Sequence, residues 1–266
     1  MEITFLGTGT PFPDPQRGSS AILVNIGSDK ILLDCGRDCV QQMARMGISP
    51  MEVTHCFLTH SHYDHIADFA LLVLTSWRFG RQHTLRVYGP PETKAISDAL
   101  FNEVYKIDIA ARKKLGGGEK GAVLPDITID VTEMRDGEVT EGEGWRIRAV
   151  EVVHWPIPVS LGFLIEGDGK RVFFTGDTAP CDPVREHAGG VDLLIHEAMY
   201  FPDGSGHYRS HSHPEKAGEI ARQAGASRLV LTHLQPSATG ERLLNDAGKH
   251  FLDNVTIATD RLRLVL

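Results

Sequence analysis

The sequence is poor in the features that mark several broad classes of protein. It has no uninterrupted run of about 18 apolar residues, so no membrane-spanning helix is expected. Its opening, "MEITFLGTGTPFP", has an acidic second position and no long apolar stretch, so no secretory leader is expected either, and the default location is the cytoplasm. Cysteine is sparse: Cys35, Cys39, Cys56 and Cys181 are the four in 266 residues, scattered without the paired spacing of a zinc ribbon. That argues for reduced thiols rather than a disulfide framework. Positive charge is short as well, with 27 Lys and Arg against 35 Asp and Glu and a formal charge of -8. Phosphate neutralisation normally draws on a surplus of Lys and Arg, so a generic nucleic-acid binder is not expected. "LGTGTP" lacks the third glycine of a dinucleotide loop and runs into prolines where a helix would have to start.

What remains is an ordinary globular composition, 41% hydrophobic and 23% charged. It predicts one domain over 1–266, with an insertion or lid around 91–125. "EITFLG", "SAILVNIG" and "KILLDCG" read as strands, the last two joined by a tight turn at "GSDK". "GRDCVQQMARM" has helical spacing with Gly47 as a stop, "VTHCFLTH" is a buried strand, and "ADFALLVLTSW" and "ETKAISDALFNEVY" are helices. The stretch from Lys106 to Pro125 combines three consecutive glycines with clustered Lys and Arg and is expected to be a mobile loop or lid. In the second half, strands dominate: "ITIDVTEM", "WRIRAVEVVH", the hairpin around Gly167 to Gly169, "VDLLIHEAM" and "RLVLTH". One helix, begun by Pro214 and closed by Gly225, leads into the last of these. Strands mixed with helices, without regular alternation, predict an α/β layered fold with mixed or antiparallel sheets.

The chemistry concentrates in "LTHSHYDHIAD". His60, His62, Asp64 and His65 place four ligand-type residues in six positions at the end of a strand. Residues two apart in extended backbone point the same way, so His60 and His62 can converge on one ion, while the turn into a helix presents Asp64 and His65 nearby. Imidazole and carboxylate are the ligands of Zn²⁺, Mn²⁺ or Fe. Other strand ends carry His154, Asp177, His196 and His233, and together these read as one site.

These motifs, with "LLDCG", "VVH", "FTGDT" and "LTH", resemble the metallo-β-lactamase superfamily. The resemblance implies a four-layer αββα sandwich of two mixed sheets. It assigns one metal to His60, His62 and His154 and the other to Asp64, His65 and His233, with Asp177 bridging. Two divalent ions are therefore the expected cofactor, zinc first, with manganese or iron as alternatives. "IHEAMY" and "HSHPEKAGEIARQAGASRLVLTH" are similar to the ribonuclease Z branch and its phosphodiesterase and arylsulfatase relatives. By that likeness His211, assisted by Glu197, protonates or stabilises the leaving oxygen, and Asp64 orients the nucleophile besides ligating.

Ribonuclease Z enzymes that mature tRNA usually carry a long arm between the third-motif His and the bridging Asp. Here one hairpin fills the interval from His154 to Asp177. The sequence therefore predicts a hydrolase using a metal-bridging hydroxide on a small anionic phosphodiester or sulfate ester, with tRNA disfavoured. A carbonyl ester hydrolase, such as a lactonase or β-lactamase-like enzyme, is the alternative, and tRNA 3′ processing a lesser one. A metal-binding protein without turnover is a reading from another class. Trp155, His213 and Arg112 are the candidate substrate contacts, Asp34 the candidate partner for a ligand imidazole, and a homodimer follows from the resemblance alone.

Overall fold

A computed structural model describes residues 1–116, 124–199, 209–252 and 254–266. Two seven-stranded mixed sheets stack face to face. The first contains β1 (Glu2–Gly7), β2 (Ala21–Ile26), β3 (Asp29–Leu33), β4 (His55–Phe57), β5 (Leu85–Gly89), β6 (Ile129–Glu133) and β14 (Arg263–Val265), in the order β14-β1-β2-β3-β4-β5-β6. The second contains β7 (Val139–Gly142), β8 (Trp145–Val152), β9 (Ser160–Gly167), β10 (Lys170–Phe174), β11 (Leu193–Glu197), β12 (Leu229–Thr232) and β13 (Val255–Ile257), in the order β13-β12-β11-β10-β9-β8-β7. In each sheet one half is antiparallel and the other parallel: β3, β4, β5 and β6 run parallel in the first, β10, β11, β12 and β13 in the second.

The central strands are apolar on both faces because both faces are covered. In β2, Ile22, Val24 and Ile26 enter the core between the sheets, while Ala21 and Leu23 point to the outer core beneath the helices. β11 repeats the pattern, with Leu193 and Ile195 inward and Leu194 outward. Helices α1 (Cys39–Arg45) and α3 (Phe69–Arg78) cover the first sheet; α6 (Asp182–His187), α7 (Pro214–Ala224) and α8 (Gly240–Gly248) cover the second. This is the αββα layering the motifs imply. Among the described residues, no helix is long and apolar enough to cross a membrane.

Local chemistry sets the boundaries. Asp168 and Gly169, both at positive φ, make the two-residue turn between β9 and β10. α7 starts at Pro214, its N-cap His213 accepts a hydrogen bond from the Glu215 amide, and Gly225 at φ 64° ends it. One expectation needs correction. Lys106–Leu115 is a helix, α5, and not part of a loop; it follows α4 (Thr93–Ala99) and a π-helical turn at Leu100–Val104. Its Asp108 and Arg112, four apart, form a 2.8 Å ion pair along one face. The stretch 117–123, which holds the last two glycines of the run and part of the expected lid, lies outside the described residues.

Candidate metal centre and active site

Strand ends from both sheets deliver the chemical groups to one edge of the sandwich. β3 ends at Leu33 and is followed by Asp34; β4 ends at Phe57 and is followed by His60, the short α2 (Tyr63–Ile66) then carrying Asp64 and His65. From the second sheet come His154 after β8, Asp177 after β10, Glu197 at the end of β11 and His233 after β12. The segment after β4 is tied across to the second sheet by the Leu161 amide, which donates to the Thr59 carbonyl at 2.9 Å. His233 sits at φ 55°. Its neighbour Leu234 donates to the Thr8 carbonyl at 2.9 Å, so the "LGTGTP" turn braces the His233 position.

Donor atoms of His60, His62, His154 and Asp177 lie within 4.8 Å of one another, as do those of Asp64, His65 and His233. A third set, Asp177, His211 and His233, overlaps both. Asp177 is the shared member: its Oδ2 is 3.3 Å from His65 Nε2, 3.4 Å from His233 Nε2 and 4.0 Å from His154 Nε2.

The imidazoles are aimed by buried partners. His65 Nδ1 donates to Asp34 Oδ2 at 2.7 Å, and Ser20 Oγ donates to the same oxygen at 3.0 Å. Asp34 Oδ1 accepts from the Thr59 amide at 2.8 Å and its hydroxyl at 3.0 Å. His60 Nδ1 donates to that hydroxyl at 2.9 Å, and His154 Nδ1 donates to the Ser210 carbonyl at 2.7 Å. Each Nδ1–H is thus engaged, which leaves Nε2 of the same ring with its lone pair directed into the cluster.

Nε2 of His60 and Nε2 of His65 are buried and make no hydrogen bond. An unsatisfied buried polar atom costs about 1–3 kcal/mol, and two of them facing carboxylates and further imidazoles fit a divalent cation. The donor set, nitrogen with carboxylate oxygen, suits zinc or a similar ion. Burial holds His60, His62 and His154 below the ordinary imidazole range, so they are neutral donors near pH 7. Burial also opposes charge on His65, but Asp177 and Asp34 outweigh it and raise that pKa. Asp177 is itself buried, yet His233 and His65 keep it well below the carboxylate range.

Beside the cluster, His211 Nδ1 donates to Glu197 Oε1 at 2.9 Å. Glu197 is buried and pinned: Oε1 also accepts from the Thr178 amide and Oε2 from the Met199 amide, both at 3.0 Å. Against burial, which lowers it, Glu197 and then Asp177 push the His211 pKa up to about 9. The ring stacks on His233, with centroids 5.5 Å apart.

The remaining candidates separate. His196 belongs to the same strand as Glu197 but faces the other side, as a strand's alternation requires; its Nδ1 donates to the Glu197 carbonyl and it joins no ligand group. Trp155 is exposed next to His154, whereas His213 caps α7. Arg112 is paired with Asp108 and lines a shallow groove with Ala67, Leu71, Arg78 and Tyr105. Sequence reading missed Thr59 and Ser210, which aim His60 and His154: nothing local distinguishes a threonine or a backbone carbonyl that acts through a tertiary contact.

Two stacked mixed sheets with this constellation at their edge define a hydrolase of the metallo-β-lactamase superfamily, and the chain belongs to it: residues 29–234 match the beta-lactamase superfamily domain. The relatives sharpen this. The chain is 35% identical over 248 residues to "Ribonuclease Z" of Mycobacterium marinum, covering 89% of this chain and 87% of that one. Its fold is similar to the metallo-beta-lactamase fold protein YhfI from Bacillus subtilis, with TM-score 0.79 and 25% identity over 99% of both chains. Human tRNase Z, short form, matches with TM-score 0.75 and 24% identity over 100% of this chain and 99% of that one. These relatives overturn the expectation that tRNA is disfavoured. That expectation rested on the missing arm and on net charge. A relative named ribonuclease Z aligns over most of both chains, and net charge, a sum over the whole surface, does not describe the contact face.

Proposed function

We propose that this chain is a two-metal phosphodiesterase of the ribonuclease Z type, with precursor tRNA as its substrate class. The carrying observation is the Glu197–His211 pair, 2.9 Å apart, set against Asp177 at the edge of the ligand groups. A hydrolase whose leaving group is already stable has little use for a buried, protonated imidazole; a ribose alkoxide needs one.

In this reading His60, His62 and His154 hold one divalent ion, zinc in the first instance, Asp64, His65 and His233 hold a second, and Asp177 is shared. When bound, such ions supply a Lewis acid and acidify water towards neutrality. Asp34 and Thr59 keep the imidazoles oriented. Asp64, whose Oδ2 is 3.5 Å from His233 Nε2, orients the attacking water. His211 has Nδ1 engaged by Glu197, so Nε2 is the atom that delivers a proton to the leaving oxygen. The whole chain acts as one hydrolase domain, with 91–125 as its inserted segment.

The test is a substrate panel on metal-reconstituted protein: a precursor tRNA with a 3′ trailer, bis(p-nitrophenyl) phosphate, p-nitrophenyl sulfate and a set of lactones. Cleavage of the precursor at its 3′ side, lost in Asp177→Ala, is the expected result. Turnover of lactones or sulfate esters with no phosphodiester hydrolysis refutes the reading.

A further inference from the structure

Two large aromatic side chains that directly follow members of the histidine cluster have an exposure the cores do not explain. Tyr63, between His62 and Asp64, opens α2 with 70% of its surface exposed, and Trp155, directly after His154, is 63% exposed. The His62 and His154 rings are 4.9 Å apart, so the two segments leave the cluster side by side. The other two tryptophans, Trp77 and Trp145, are 3% and 4% exposed, and each donates its N–H to a fixed acceptor. Trp155 is anchored differently: its carbonyl accepts from Ser210 Oγ, and Ser210 also holds His154. Its backbone is fixed while its ring faces water.

We propose that Tyr63 and Trp155 form a platform at the mouth of the site on which unpaired nucleobases flanking the scissile phosphodiester stack. The proposal rests on the phosphodiester reading above: a phosphate between the two candidate ligand groups places its nucleosides beside His62 and His154, the residues that these two rings directly follow in the chain. Aromatic side chains flanking a nucleic-acid site bind any base through its π face, with little dependence on sequence.

Two esters with the same leaving group isolate the effect in metal-reconstituted protein: thymidine 5′-(p-nitrophenyl phosphate) and methyl p-nitrophenyl phosphate. The wild type should favour the nucleoside ester. Tyr63→Ala and Trp155→Ala should each lower the ratio of kcat/KM values by about 5- to 150-fold, chiefly through KM, as expected for loss of one base stack. Tyr63→Phe, which keeps the ring, should retain the ratio, and so should Phe79→Ala, an exposed ring elsewhere. A second readout needs no turnover: thymidine 5′-monophosphate should quench the long-wavelength tryptophan emission, and Trp155→Phe should abolish the quench. Equal ratios in wild type and both alanine variants overturn the platform while leaving the phosphodiester reading intact. Quenching without hydrolysis of either ester supports the platform and sinks that reading.

Discussion

Replacing Glu197 by Gln should move the basic limb of the pH–rate profile, and the structure gives the size of the shift. Glu197 is the first favourable influence that lifts His211 to about 9 against the opposing effect of burial. With the charge gone, Asp177 alone opposes burial and the ring falls towards the ordinary imidazole value of ~6.5, which sets the upper limit of the shift. At pH 8 the protonated fraction then falls from roughly nine-tenths to about 3%, a thirty-fold loss of the competent acid. The shift corresponds to roughly 3 kcal/mol of differential interaction. The sign for stability follows from the same shift: a raised histidine pKa stabilises fully below ~6.5 and the contribution is lost as pH rises through about 9. The substituted carboxamide still offers one oxygen to His211 and the Thr178 amide, but leaves the Met199 amide without its acceptor, at about 1–3 kcal/mol. Thermal melts must therefore accompany the kinetics. The assay is kcat/KM from pH 5 to 10 on a ribose-leaving substrate and on a nitrophenolate ester, which needs no acid. A basic limb unchanged by the substitution, or equal losses on both substrates, refutes the role given to His211.

Three further outcomes are expected. Saturating zinc should raise the Tm of chelator-treated protein by about 5–10 °C, since ligand at a hundred times Kd adds about 2.7 kcal/mol; uptake below one ion per chain would remove the two-metal arrangement. Asp34→Asn, which takes the carboxylate from His65 Nδ1, should weaken metal affinity about 10- to 100-fold by competition titration with an unchanged far-UV spectrum. Gly36→Ala would set a methyl group against the backbone carbonyls of Asp64 and Ser20, and should cost about 1–3 kcal/mol in a denaturant melt; a silent substitution would show that this approach is looser than described.

The sequence made the ligand groups legible because their signal is local. His60, His62, Asp64 and His65 lie within six residues, and His154, Asp177 and His233 each follow an apolar run that marks a strand. The layers followed for the same reason, since strands such as β2 are apolar on both faces. α5 was hidden by the glycines after it, although Asp108 and Arg112 held a helical signal four residues apart. His196 was grouped with the site only because it closes an apolar run; alternation against Glu197 sends it to the other face. Thr59, Ser210 and Tyr63 carry no pattern of their own, and what they do depends on neighbours distant in the chain.

Thr59 has a consequence beyond aiming His60. Its carbonyl takes the Leu161 amide from the opposite sheet, at the point where the first sheet's ligands give way to those of the second. His60, His62, Asp64 and His65 come from one half of the sandwich and His154, Asp177 and His233 from the other, so the first half alone does not complete the His60, His62, His154 and Asp177 group, nor the Asp64, His65 and His233 group, proposed above to hold metal. Ion uptake is then coupled to docking of the halves: filling the site should retard hydrogen exchange at the Leu161 amide, and prying the sheets apart should release the ions before either sheet unravels.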